Sequence, residues 1–86
     1  MTINHYHTYC EREYFFVKNC IANKNSFGIY SPEEIRDNAI QRLLGAGYLA
    51  QQMGASYEEV EQEFEYYKEK IKEICETSWQ TVKSMV

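Results

Sequence analysis

The stretch Leu49-Ala50-Gln51-Gln52-Met53-Gly54-Ala55-Ser56-Tyr57-Glu58-Glu59-Val60 constrains this chain more than any other. Small and apolar residues lead into a glycine, and a serine follows two positions later with a glutamate three residues on. That is the order needed to end one helix, turn tightly and cap the next. A chain that turns back on itself this sharply between two apolar-striped segments is expected to be all-α. With 86 residues it is expected to form one helical domain over residues 1–86.

The flanking segments carry the matching periodicity. From Thr2 to Ala22, Ile3, Tyr6, Cys10, Tyr14, Val17 and Ile21 recur at steps of three and four, with Tyr9, Phe16 and Cys20 beside them. The run Tyr14 to Val17 also suits a strand, but the helical spacing continues on both sides of it. Asn23 to Ile29 is rich in turn formers and reads as a loop. Ser31, Pro32 and Glu34 then open a second helix as N-cap, first helical residue and capping-box partner, with Tyr30 and Ile35 placed as a hydrophobic staple. Ile35, Ala39, Leu43, Ala46, Ala50 and Met53 form its stripe. Gly45 and Gly47 interrupt it: either the helix breaks near Gly45, or Ala46, Gly47 and Ala50 offer a flat surface for close packing, and the unbroken phase of the stripe favours a continuous or kinked helix.

A third helix is expected from the Ser56 cap to about Ser84, with Tyr57, Val60, Phe64, Tyr67, Ile71 and Ile74 as a seam. The seam shifts at Cys75, Trp79, Val82 and Val86, as in a stutter. The expected architecture is therefore an antiparallel three-helix bundle with a long C-terminal helix. At 1.5 Å per residue that helix would reach ~43 Å against ~30 Å for its neighbours. Its overhang would expose Trp79, Val82 and Met85, which with Tyr66 are the expected partner-binding residues. The partner is expected to be another protein, a second copy of this chain being one candidate.

The corner from Leu49 to Val60 resembles the helix-turn-helix of bacterial DNA-binding proteins. Leu49, Ala50, Met53, Gly54 and Val60 stand where that family places its apolar, small, apolar, turn-glycine and apolar residues. The resemblance covers about a dozen residues and implies a recognition helix offering Tyr57, Glu58, Glu61 and Gln62 to the major groove. Glu63 stands where the family keeps an apolar residue. Five glutamates, Glu58, Glu59, Glu61, Glu63 and Glu65, also precede the first lysine of this segment, and the formal net charge of the chain is −4. Such a helix meets phosphate with repulsion, so nucleic acid is not the expected partner. The same carboxylates, Glu58, Glu61 and Glu65 with Tyr57 and Gln62, give a third reading. They could imitate a nucleic-acid backbone and occupy a basic groove, as small acidic inhibitors of phage or mobile-element origin do.

Chemistry is not expected. There is no phosphate loop, nucleophile elbow or paired-cysteine motif, so no enzyme, cofactor or small-molecule substrate is predicted. His7 and Glu11, four apart, could share a helix face as metal ligands do, with His5 and Cys10 nearby; solvated side chains are the expected state, and no metal is predicted. Cys10 and Cys20 would lie ~15 Å apart on one helix and could not bridge. With Cys75 they are expected as reduced, buried thiols. No apolar run approaches a membrane span and the N-terminus lacks an export pattern, so a cytosolic regulatory or inhibitory interaction module, acting through its long C-terminal helix and expected to self-associate, is the leading reading.

Overall fold

The structure is a computed structural model that describes residues 2–23, 31–77, 81–82 and 84. Three helices pack against one another: α1 (Ile3–Ala22), α2 (Pro32–Gln52) and α3 (Tyr57–Glu76). No strand occurs among the described residues, so Tyr14 to Val17 is helical. His7 lies opposite Glu63 and Tyr14 beside Lys70, which makes α1 and α3 parallel. Tyr6 meets Leu43 and Gly47 while Glu13 meets Arg42, so α2 runs antiparallel to α1. The proposed staple residue Tyr30 lies outside the described residues.

Each helix begins on a hydroxyl that satisfies one of its otherwise orphaned N–H groups. Thr2 accepts from the His5 amide at 3.3 Å, Ser31 from Glu34 at 3.2 Å and Ser56 from Glu59 at 3.2 Å. α2 closes on a two-bond reverse turn: Ala55 N–H donates to Ala50 O and Gly54 N–H to Gln51 O. Gly54 has φ +110°, a region that a side chain makes costly, which is why glycine stands there.

The core collects the expected stripes. Tyr6, Cys10, Val17 and Ile21 from α1, Ala39, Leu43 and Ala50 from α2, and Val60, Tyr67, Ile71 and Ile74 from α3 are all buried. The three helices meet at Tyr6 of α1, Leu43 and Gly47 of α2 and Val60 of α3. The Tyr6 hydroxyl donates to the Leu43 carbonyl at 3.0 Å, fully buried. Gly47, one turn along α2 from that carbonyl, has no Cβ to obstruct it. A Cβ there would stand 3.1 Å from both the Tyr6 hydroxyl oxygen and a Val60 methyl. Gly45 faces open space. The two glycines thus play different parts in one continuous helix: Gly47 permits close approach, and Gly45 merely lowers propensity.

Three expectations are corrected. First, α3 ends at Glu76 and not near Ser84, because Thr77 adopts extended backbone (φ −83°, ψ 144°) and its hydroxyl donates back to Glu73 O at 2.8 Å. The shift of stripe at Cys75 marks the end of a helix, not a stutter within one. Second, Val82 is completely buried among the core residues, so it is no part of an overhanging interface. Third, Met53 and Tyr57 are exposed, Met53 as the residue capping α2 and Tyr57 in the first turn of α3 on its outer side. Phe16 is also half exposed, with the Arg42 guanidinium over its ring.

Gly45→Ala should raise stability by roughly 0.5–1 kcal/mol. Gly47→Ala should lower it by about 1 kcal/mol, the overpacking outweighing the propensity gain. Tyr6→Phe should cost about 1 kcal/mol for the lost hydrogen bond. Because the hydroxyl is one of the two atoms a Gly47 side chain would strike, the Tyr6→Phe, Gly47→Ala double variant should lose less than the sum by at least about 0.5 kcal/mol. Denaturant titration of the four proteins measures the coupling, and strict additivity would contradict the shared contact.

Candidate functional site

Outside the core, the α2/α3 hairpin presents a groove of about 230 Å³ on its outer side. Leu44, Gly47, Tyr48 and Gln51 line it from α2, and Tyr57, Val60, Glu61, Phe64 and Glu65 from α3. The buried Tyr6 lies beneath the gap left by Gly47, so the close packing of the core also shapes the groove floor. Steps of three and four along both helices bring these positions to one side, giving an apolar trough with carboxylates on its α3 rim.

Of the residues singled out from the sequence, Tyr57, Glu61 and Glu65 come together here, one turn apart along α3. Glu58 and Gln62 are exposed but do not line the trough. Tyr66 is exposed on another side of α3, edge-on to Tyr67, with the Lys70 ammonium 5.2 Å from its ring centre. Trp79 and Met85 lie outside the described residues. Leu44, Tyr48, Gln51 and Phe64 are groove residues that the sequence does not mark as candidates for a site. A signal was present: no Lys, Arg or His occurs between Arg42 and Lys68, where the chain is apolar, small or acidic apart from three glutamines.

That gap in positive charge has a structural consequence. Three exposed aromatic residues each carry a cation from the same chain: Lys18 lies 5.8 Å from the Phe15 ring centre, Arg42 5.7 Å from Phe16 and Lys70 5.2 Å from Tyr66. Tyr48 and Tyr57, each 60% exposed, have no such cation among the described residues. Nor do Glu58 and Glu61 form an ion pair among them. Glu65 pairs with Lys68 at 3.3 Å, an exposed contact three residues apart that contributes little. Among the described residues the groove therefore sets bare aromatic faces beside one unpaired carboxylate, Glu61, and a second, Glu65, held only by the exposed Lys68 contact.

The N-terminal cluster is arranged differently from a metal site. His7 Nδ1–H donates to Glu63 at 2.9 Å across the α1/α3 contact, and Nε2 lies 3.7 Å from Glu11. The His7 ring also stands edge-on to Tyr67. Glu63, in a position the helix-turn-helix pattern keeps apolar, thus serves a contact between helices. Among the described residues no three His, Cys, Asp or Glu side chains are grouped to hold a metal ion. Cys10, Cys20 and Cys75 are free; burial pushes the Cys10 thiol up to about 12 and the Cys75 thiol to about 11, leaving them protonated at neutral pH. No helix among the described residues is long and apolar enough to cross a membrane.

Compared with known proteins, the chain matches no family model, no curated protein and no solved structure. Its use has to be argued from its own surface.

The Glu63 hydrogen bond, followed by the charge of Glu63, raises the His7 pKa above its ordinary 6.5. A raised value in the folded state means that this contact stabilises the fold fully below pH 6.5 and fades as pH rises through the folded pKa. An NMR titration of the imidazole should therefore give a value above 6.5 that drops back in Glu63→Gln. An unshifted His7 in the parent protein would refute the contact.

Proposed function

We propose that this chain is a small protein-binding module, cytosolic and regulatory or inhibitory in role, whose docking face is the α2/α3 groove. One observation carries the reading. Tyr48 and Tyr57 stand exposed on a trough lined by Leu44 and Phe64, and among the described residues they lack the covering cation that Phe15, Phe16 and Tyr66 have. Tyrosine offers a large contact area at small entropic cost, and a pair of them flanking an apolar trough is the usual composition of an interface centre. The module acts by occupying its partner. Cys10 and Cys20 are buried while Cys75, expected to be buried too, is half-buried; desolvation keeps all three thiols protonated, which leaves them unsuited to nucleophilic chemistry. Three free thiols also suit a reducing compartment.

Val82, expected at an exposed C-terminal end, is buried instead, and the docking surface proposed in its place is the hairpin of α2 and α3. Nucleic-acid mimicry is the second reading, favoured by the exposure of Glu58, Glu61 and Glu65 along one helix. It asks for the carboxylates alone, whereas the module reading asks for the aromatic trough as well. A DNA-associated role through the helix-turn-helix-like corner would bring the same carboxylates against phosphate.

A photo-crosslinking residue placed at position 48 or 57 should form a discrete adduct with another protein in the native host, while one at position 66 should not. Tyr48→Ala and Tyr57→Ala should weaken capture of that protein by tenfold or more, about 1.4 kcal/mol each. Adducts from position 66 alone would overturn the assignment. Capture insensitive to both tyrosines but abolished by reversing Glu58, Glu61 and Glu65 would favour the mimic.

A further inference from the structure

We infer that the occupant of the α2/α3 groove is a cationic amphipathic helix of a partner protein, laid along the hairpin as a fourth helix. This rests on the docking reading above and names the chemistry of what docks.

Shape argues for a helix. The groove runs between two antiparallel helices, and its lining residues recur at helical steps: Leu44, Tyr48 and Gln51 on one side, Tyr57, Glu61 and Phe64 on the other. Ridges at that spacing interdigitate with the ridges of another helix. A peptide docking as a β-strand would need a free sheet edge to pair with, and the helical backbones lining the groove already spend their N–H and C=O groups internally.

Charge argues for a cationic one. Glu61 and Glu65 lie four apart on the rim, so lysines or arginines four apart on the incoming helix can face both. The same cations would reach the faces of Tyr48 and Tyr57, supplying from outside what Lys18, Arg42 and Lys70 supply to the other exposed rings. The incoming apolar stripe would rest over Leu44 and Phe64. A second copy of this chain is a poor occupant for the same reason. Two-fold pairing through this face would bring Glu61 and Glu65 of one copy toward those of the other, and Lys68, already spent on Glu65, is the one cation beside them among the described residues.

The test uses the full chain, isotope-labelled, and three synthetic peptides. The first carries leucines at helical spacing flanked by lysines. The second carries glutamates in place of the lysines, and the third has the first one's composition in an order without an apolar face. The first peptide should shift the amide resonances of Leu44, Tyr48, Tyr57 and Phe64, and the other two should bind at least tenfold more weakly. Glu61→Lys with Glu65→Lys, both on an exposed rim, should reverse the order of the first two peptides while circular dichroism stays unchanged. Equal binding of the scrambled peptide, shifts centred on Tyr14, Phe15 and Tyr66, or no binding at all would overturn the inference. So would a concentration-dependent dimer that protects Tyr48 and Tyr57. Peptide failure alongside host adducts at positions 48 and 57 would reject the cationic helix and keep the docking face. Absence of those adducts would reject the face itself.

Discussion

A buried tyrosine hydroxyl reaching a helix carbonyl sets the geometry of this bundle. Tyr6 carries its polar atom into the place where all three helices meet, and Leu43 O is the acceptor it finds there. A buried hydroxyl left without a partner would cost more than the bond gains, so the heights of α1 and α2 are fixed relative to each other. Gly47 makes the approach possible, and Val60 closes it from α3. The other cross-helix pairs follow from that register. His7 comes level with Glu63, Glu13 with Arg42 and Tyr14 with Lys70.

The same glycine ties stability to the candidate site. Removing a side chain at position 47 lets Tyr6 in from one direction and leaves a depression on the other, which the groove uses as its floor. Charge is divided along the same line. Acidic residues early in α3 and lysines later in it suit the helix dipole, a sufficient structural reason for the order. The order nevertheless has a side effect at the surface. Lysines and Arg42 cover exposed rings elsewhere, whereas Tyr48 and Tyr57 have no such cation among the described residues.

Periodicity carried the elements and most of the core. The steps from Ile3 to Ile21, the Ser31–Pro32–Glu34 start and the Gly54–Ser56 corner all have local causes, and local causes can be read from neighbouring residues. The end of α3 could not be read in the same way. Nothing in Glu76-Thr77-Ser78 forbids a helix, and only the shift of stripe at Cys75 hints that the backbone turns there. Val82 was consequently assigned to the surface, although the chain folds it into its own core. The groove was half legible: the carboxylates and Tyr57 stood out in one helix, but their neighbours Tyr48 and Leu44 belong to another.

By itself the sequence determined that three apolar-striped helices form, where the caps and the sharp corner lie, and that one span of the chain lacks positive charge. These are properties of adjacent residues and of composition. Only the tertiary structure decided that Gly47 is a contact and Gly45 is not, that Val82 is inside, and that Tyr48 and Tyr57 share a trough with Glu61. Each of those depends on how one helix is rotated and shifted against another. That rotation is set by packing and by a single buried hydrogen bond between residues 37 apart in the chain.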